Sequence, residues 1–294
     1  MRALTLVIEE HQSGRTIKSL LAGELRLSES LIRRIKLRET GILLNGERAF
    51  TTAIVHPGDV LTAEIGDAPD APRPRPMPAP LTVLYEDQDL LILNKPAGIA
   101  VHQSDRDPEE LTLENALSAY LPPDCIPHPV SRLDRGTTGI ITFAKNGYMH
   151  ELLRRMLHTP GFEREYRGVA AGIVRPAKGE ITLPIGFAEG STYQRAVQPG
   201  GAPSRTEYEV LAYANGVTLL RLIPHTGRTH QLRVHMAALG FPLVGDWLYG
   251  TRDVRIARPA LHSFALRLTY PLTGEQLRLE APLPEDMAAL LRER

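Results

Sequence analysis

Apolar residues near the N-terminus follow the period of two short amphipathic helices and then that of strands. Residues 15–25 and 28–41 carry leucine and isoleucine at helical spacing, and Ser28 precedes the second helix as a capping residue. Asn45 and Gly46 then predict a tight turn between two strand-like runs. Residues 1–65 are therefore predicted to form a small α+β domain.

Further along the chain, short apolar runs rich in β-branched residues outnumber the helical stretches. Two strands are predicted around the acidic turn within residues 81–98, then a buried strand over 139–146 and a helix over 146–157 capped by Asn146. Further strand-like runs occupy residues 166–174, 180–187, 204–214, 217–224 and 264–271. Runs of strands with few helices predict an α+β fold with a mixed, largely antiparallel sheet.

Proline dominates the stretch between these two regions, residues 66–80. Because proline restricts φ and favours extended backbone, we interpret this stretch as a semi-rigid linker. The predicted organisation is a small domain over 1–65, a Pro-rich linker over 66–80 and a larger domain over 81–294.

Composition narrows the function classes only slightly. The chain has 294 residues, with 34 Lys and Arg against 34 Asp and Glu, so its net charge points to no class of partner. The single cysteine, Cys125, excludes an internal disulfide and a multi-cysteine metal cage, which suits a reducing compartment. No apolar run reaches the length of a membrane span, so we expect a cytoplasmic protein with no membrane partner.

The first motif that carries chemistry is SRLDRGTTG, residues 131–139. It places one carboxylate, Asp134, between Arg132 and Arg135, and then runs into a turn of threonine and glycine. Such a loop presents a lone acid held between cations.

The second motif is HTGRTHQLRVHMAALGFPLVGDWLYG, residues 225–250. Thr229 is predicted to cap a helix that ends at Gly240. Four polar residues crowd the junction between the preceding strand and this helix: Arg228, His230, Gln231 and Arg233.

These arginines have no acidic neighbour in sequence, because residues 210–245 contain no aspartate or glutamate. If the two motifs meet in space, Asp134 and Arg233 form an ion pair. Such a pair keeps the carboxylate ionised and oriented, as a nucleophile or a group that stabilises a cation requires.

Two other interpretations of these residues have less support. His230 and His235 are five residues apart, with no glutamate between them and no cysteine ligands, so we expect no metal site. His128, Ser131 and Asp134 are the residue types of a Ser/His/Asp hydrolase, but the chain has no G-x-S-x-G motif.

The second predicted helix carries a concentration of positive charge within about two turns. A basic face of this kind either binds a polyanion or simply faces solvent. It consists of Arg33, Arg34, Lys36 and Arg38.

Together the motifs resemble those of the RluA-type RNA pseudouridine synthases. HPVSRLDRGTTGIITFAKN contains a sequence similar to the family signature R-L-D-R-x-T/S-S/T-G, EREYRGVAAG resembles the family's tyrosine motif, and residues 226–250 resemble its basic motif. YEDQDLLILNKPAGIAVH and ALHSFALRLTYPLTGE also match, so the resemblance covers about residues 81–294. Residues 1–65 are more weakly similar to a small RNA-binding domain that these synthases share with a ribosomal small-subunit protein.

The resemblance implies roles for individual residues. Asp134 matches the catalytic aspartate, Tyr166 the active-site tyrosine and Arg233 the basic partner of the aspartate. Arg132 matches the arginine that fills the space left by a flipped nucleotide. The other expected RNA contacts are Arg135, Arg228, His230, Gln231, Arg33, Arg34, Lys36 and Arg38. One departure is Ser131, where the family usually has histidine; this affects a supporting contact and not the nucleophile.

The implied activity is isomerisation of uridines in structured ribosomal or transfer RNA, with base flipping. No cofactor is needed, and we expect a monomer. Asp134 can attack ribose C1′, stabilise an oxocarbenium ion or remove the C2′ proton, and the residues leave these routes open. The alternatives are an assembly factor without turnover, which an intact Asp134, Tyr166 and Arg233 argue against, and a glycosidase, which usually pairs two carboxylates.

Overall fold

The computed structural model describes residues 2–68, 70–104 and 107–292. Its N-terminal part is a four-stranded antiparallel sheet in the order β1-β4-β2-β3, with two short helices packed against it. The elements are β1 (Ala3–Val7), α1 (Ile17–Gly23), α2 (Glu29–Ile35), β2 (Ile42–Leu44), β3 (Glu47–Arg48) and β4 (Val60–Glu64).

Local sequence features explain where these elements begin and turn. The Ser28 hydroxyl accepts a hydrogen bond from Leu31 N at 3.3 Å and so caps α2, as predicted. Asn45 and Gly46 have φ of 55° and 85°, the left-handed pair that a two-residue hairpin turn requires. Helix α2 ends at Ile35 and not at Gly41, so the last part of the predicted helix forms turns.

The larger part of the chain is built on a ten-stranded sheet. Its main path runs β10-β13-β14-β9-β15-β8-β6-β5, with β16 beside β15 and β7 beside β8. The strands are β5 (Val83–Glu86), β6 (Leu90–Lys95), β7 (His128–Pro129), β8 (Thr138–Ala144), β9 (Phe162–Ala171), β10 (Lys178–Ile181), β13 (Thr206–Ala214), β14 (Val217–Pro224), β15 (Leu261–Thr269) and β16 (Gln276–Glu280). A separate hairpin pairs β11 (Ile185–Phe187) with β12 (Arg195–Val197).

Strand β15 pairs with β8 in parallel, and the other pairings described in this sheet are antiparallel. The predicted α+β fold with a mixed, largely antiparallel sheet is therefore confirmed. The helices of this part are α3 (Leu113–Tyr120), α4 (Gly147–Met156), α5 (Gln231–Ala238) and α6 (Glu285–Leu291).

Strand β8 is buried along its whole length because both faces of the sheet are covered. Phe143 belongs to a core that includes residues of α3 and α5, whereas its neighbour Ala144 belongs to a core with Met149 and Leu153 of α4. Successive strand residues point to opposite faces, so one uninterrupted apolar strand supplies both cores. Within the described residues, none of the helices is long and apolar enough to cross a membrane.

The Pro-rich stretch, predicted as a semi-rigid linker, lies against the part of the chain that contains the larger sheet. Pro74 and Arg75 carbonyls accept hydrogen bonds from Ser118 Oγ at 2.7 Å and Asn115 Nδ2 at 2.8 Å, and Met77 N donates to the Asn115 carbonyl at 3.1 Å. Because prolines lack N–H groups, their segment docks mainly through carbonyls that meet side chains of α3. The boundaries at residues 65 and 80 stay a prediction.

The N-terminal domain is also packed directly on the larger one. Tyr148 and Leu152 of α4 belong to the N-terminal core, and Tyr148 Oη donates to the Leu25 carbonyl at 2.7 Å. Arg2 forms a bidentate ion pair with the buried Asp89 at 2.9 and 3.0 Å. The contacts give the basic helix α2 a defined place relative to the rest of the chain.

Candidate active site

The two sequence motifs meet in one cleft of about 1070 Å³. Residues 131–135, from the loop before β8, form one side, and residues 226–233, which lead into α5, form another. Tyr166, from the middle of β9, lines the same cleft. Sequence positions up to about 100 residues apart are thus brought to one place by the sheet.

Asp134 lies on a loop whose backbone is held by hydrogen bonds from the buried side chain of Lys95. The Lys95 side chain is 1% exposed, and its Nζ donates to the carbonyls of Pro96, Ile99 and Arg135 at 2.9, 2.9 and 3.1 Å. Burial lowers the pKa of Lys95 to about 8, although the nearby Asp134 carboxylate opposes this change. The loop is therefore fixed at the residue after Asp134, with a buried cation close by.

Arg233 lies between two carboxylates. Its Nη1 donates to Asp134 Oδ2 at 3.2 Å, while Nε and Nη2 donate to the two oxygens of Asp246 at 2.7 and 2.8 Å. Burial alone would lower the pKa of the Arg233 guanidinium, but its bonds to Asp246 and Asp134 raise it above the ordinary value. Asp246 fixes the fork of the guanidinium, and the remaining nitrogen orients Asp134.

Tyr166 is 5% exposed and packs in the core beneath the cleft. It pairs with Leu222 of β14 and Ser263 of β15, so strands on both sides hold its backbone. The predicted meeting of Asp134, Arg233 and Tyr166 at one cleft is what the structure shows.

Three arginines proposed to contact RNA are exposed at the rim. Arg132 Nη2 donates to Thr229 Oγ1 at 3.2 Å, and Arg228 Nε donates to the Pro203 carbonyl at 3.2 Å. Arg135 pairs with Glu110. Arg132 and Arg228 bond neutral groups in these contacts, which leave their positive charge uncompensated.

Gln231 was predicted to contact RNA, but its side chain is buried. It is 4% exposed, and its side-chain amide bonds four protein groups: Thr226 Oγ1, Arg228 N, the Arg205 carbonyl and Thr206 Oγ1. An amide with these partners holds the loop before α5 and has little capacity left for RNA.

Helix α5 begins one residue later than predicted. The cap residue is His230 and not Thr229, and its backbone is left-handed, with φ of 57°. His235 bonds Thr206 Oγ1 and the Leu183 carbonyl at 2.9 Å each, which is a structural role. His128 and Ser131 both line the cleft, but the carboxylate that His128 contacts, at 2.9 Å, is that of Asp67 and not that of Asp134, as a Ser/His/Asp hydrolase would require.

The basic face of α2 is divided in the structure. Arg33, Arg34 and Lys36 are exposed, and Arg34 Nη2 contacts the Gly66 carbonyl at 3.4 Å. Arg38 lies beyond the helix end and pairs with Glu64 at 3.3 Å. Three of the four predicted cations are therefore placed on an open surface.

Three residues of this site were not predicted from the sequence: Asp246, Tyr249 and Lys95. Asp246 lies directly after the acid-free stretch, within the second motif. Its signal was the acid-free stretch itself, because a buried arginine needs a carboxylate and the next one along the chain is Asp246. Lys95 and Tyr249 carried no such signal.

Comparison with known proteins agrees with this geometry. A sequence model of the family described as RNA pseudouridylate synthase matches residues 89–238. The uncharacterized RNA pseudouridine synthase YhcT of Bacillus subtilis is 36% identical over 99% of this chain and 97% of its own length. Ribosomal large subunit pseudouridine synthase D is 36% identical in Yersinia pestis and 34% identical in Escherichia coli, covering in both cases 98% of this chain and 93% of the relative.

A solved structure gives the same assignment. Human RNA pseudouridylate synthase domain containing 1 superposes with a TM-score of 0.60 at 28% identity, over 72% of this chain and 87% of that one. The full-length relatives, the family match and this superposition agree with the resemblance carried by the motifs around Asp134, Tyr166 and Arg233. The chain belongs to the RluA-type RNA pseudouridine synthases, isomerases that convert uridine in RNA to pseudouridine.

Proposed function

We propose that this enzyme modifies uridines of large-subunit ribosomal RNA, with Asp134 as its catalytic carboxylate. The main support is the contact of Arg233 Nη1 with Asp134 Oδ2 at 3.2 Å, in a cleft that Tyr166 also lines. The choice of RNA is supported by the relatives from Yersinia pestis and Escherichia coli, which are named for the large ribosomal subunit.

The chemistry requires an ionised carboxylate and no redox change. The bond from ribose C1′ to the base nitrogen breaks, the uracil turns, and C1′ joins C5. Because Arg233 occupies Oδ2, the second oxygen of Asp134 is left to attack C1′ or to remove the C2′ proton. Tyr166 lines the cleft, where its ring would stack on the detached uracil and its phenolic oxygen would assist removal of the C5 proton.

The target uridine has to leave its stack to reach Asp134. The cleft, about 1070 Å³, is at the upper end of the usual range for small-molecule sites and can admit a nucleotide with its phosphates. Arg132 stands exposed at its rim, where it would take the space of the flipped nucleotide. Arg135 and Arg228 would hold the neighbouring phosphates, and His230 would contact the flipped nucleotide near Asp134.

The N-terminal domain would provide a second RNA contact through Arg33, Arg34 and Lys36. Because this domain is packed on α4, both contacts would be presented at a fixed distance, which favours RNA of matching shape. We place the enzyme in the cytoplasm as a monomer that needs no metal or cofactor.

The test uses ribosomal RNA labelled with tritium at uridine C5. Wild-type enzyme should release tritium, and Asp134→Asn should release none while binding RNA with similar affinity and keeping its circular dichroism spectrum. Equal release by both proteins would show that Asp134 is not the catalytic group. Release from transfer RNA alone would contradict the proposed substrate, and release from neither RNA would favour an assembly factor.

A further inference from the structure

His230 is held in an unfavourable backbone conformation beside Asp134. Its φ of 57° lies in the left-handed region, which costs a residue other than glycine about 1 kcal/mol or more. Strain of this kind persists only where the surroundings hold it in place. In this conformation the imidazole lies between Tyr249 and Asp134.

The imidazole is the end of a hydrogen-bond chain whose direction is defined. Arg195 N donates to Tyr249 Oη at 3.0 Å, and Tyr249 Oη lies 2.8 Å from His230 Nδ1. A backbone N–H can only donate, so of these two partners only His230 Nδ1 can accept the phenolic hydrogen. His230 Nδ1 is then the acceptor, and the imidazole proton is on Nε2.

The nitrogen that carries this proton lies near the oxygen of Asp134 that Arg233 does not contact. His230 Nε2 lies 3.9 Å from Asp134 Oδ1, while Arg233 occupies Oδ2. Burial lowers the pKa of His230 more than the adjacent Asp134 carboxylate raises it, so the ring is a neutral donor at neutral pH. A movement of less than 1 Å would bring the two atoms close to hydrogen-bond distance, about 3 Å.

Asp246 supports both donors that lie beside Asp134, Arg233 directly and His230 through Tyr249. Its Oδ1 accepts hydrogen bonds from Leu248 N and Tyr249 N at 3.2 Å each, and its carboxylate also binds Arg233. The Arg233 guanidinium lies 5.0 Å from the centre of the Tyr249 ring. Tyr249 is therefore part of the support of both Arg233 and His230.

We propose that His230 Nε2–H donates a hydrogen bond to the reacting oxygen, Asp134 Oδ1, and that Tyr249 is a positioning residue that fixes the His230 tautomer and ring orientation. The inference rests on the proposed role of Asp134. It adds a second donor that stabilises the carboxylate on the side that faces the substrate.

Two substitutions at His230 separate a donor from a merely structural residue. Asparagine tolerates the left-handed backbone best, but its amide nitrogen cannot reach Asp134. Glutamine is more strained there, but its amide nitrogen reaches the position of Nε2. In single-turnover tritium release, His230→Gln should stay within about threefold of wild type, and His230→Asn should lose about tenfold or more, the effect of one hydrogen bond. The opposite order would overturn the proposal.

Tyr249→Phe tests the positioning role by a double-mutant cycle. In the wild-type background the substitution should slow single turnover about five- to tenfold with little change in RNA affinity. In the His230→Gln background it should cause no further loss, because an amide has no tautomer to select. Equal losses in both backgrounds would show that Tyr249 acts only through the fold.

A spectroscopic measurement tests the proposed His230 tautomer without depending on which RNA is the substrate or on measured activity. In ¹⁵N NMR of the full chain, His230 should show a protonated Nε2 and an unprotonated Nδ1. A proton on Nδ1 would refute the hydrogen-bond chain. If wild type released no tritium from any RNA, the proposed function would fail while this result stood.

Discussion

Removing the charge of Asp246 should damage the enzyme even though Asp246 is not among the described residues that line the cleft. Asp246 is fully buried, and its two oxygens bind Arg233 at 2.7 and 2.8 Å. Asp246→Asn keeps the shape of the side chain but places an amide N–H group against a guanidinium that can only donate. Arg233, itself 6% exposed, would keep Asp134 as its carboxylate partner.

The expected loss follows from burial. Altering one partner of a buried ion pair costs about 3–5 kcal/mol when the other charge is left without compensation, and the remaining contact of Arg233 with Asp134 places the expected loss at the lower end. For a chain of this size, a loss of about 3 kcal/mol corresponds to a fall in Tm of roughly 6–12 °C. Activity should fall by about 100-fold at temperatures where the variant is folded, since Arg233 then loses the carboxylate that fixes its fork and no longer holds Asp134 Oδ2 in place.

The chain provides a matched control in Asp253. Its carboxylate also binds an arginine in bidentate form, Arg255 at 2.6 and 2.9 Å, but Arg255 is exposed. Because a solvent-accessible pair contributes about 0–1 kcal/mol, Asp253→Asn should change Tm by no more than about 2–4 °C and leave tritium release unchanged. Thermal unfolding and single-turnover release would be measured for both variants. Similar losses in the two would refute the argument from burial.

Two further predictions concern RNA binding and pH. The exposed cations of α2 are Arg33, Arg34 and Lys36. Replacing all three by glutamine should weaken RNA binding and reduce the slope of log affinity against log salt concentration by about 2, because about 0.7–0.9 counterions are released per phosphate contact. Arg38→Gln is the control, since Arg38 already pairs with Glu64; an equal effect would contradict the division of this face. His235 and His262 are fully buried, and burial lowers the pKa of both. As the pH falls below 6.5, these two histidines therefore bind protons in the unfolded chain before they do so in the folded chain. The free energy of unfolding should therefore fall between pH 7.5 and 5.5, less steeply in His262→Gln, and a constant urea midpoint would argue against this.

Features that depend on a few consecutive residues could be predicted from the sequence. The caps at Ser28 and Asn146 and the Asn45–Gly46 turn follow from local hydrogen bonding and backbone preference, and the structure contains all three. Strand β14 has the bounds expected from its apolar run, residues 217–224.

Features that depend on tertiary contact were predicted less well. Thr229 has the right chemistry for a cap, but His230 takes that position because Tyr249 and Asp134 lie around its ring. Gln231 looked like an RNA contact and is instead enclosed by four protein groups. Thr226 and Arg228 lie within five residues of Gln231, but the Arg205 carbonyl and Thr206 Oγ1 come from the start of β13, so the sequence around Gln231 alone does not show that its amide will be enclosed.

The ion pair of Asp134 and Arg233 shows how a neutral chain can accept a polyanion at an anionic site. Asp134, Arg233 and Asp246 together carry one net negative charge, which alone would repel a phosphate. Lys95, with a pKa lowered to about 8 by burial, is mostly charged at neutral pH and lies near Asp134. At the rim, Arg132 bonds the Thr229 hydroxyl, and this contact does not neutralise its charge. Because these cations lie near the carboxylate, we expect the local field to favour RNA even though the charge of the whole chain sums to zero.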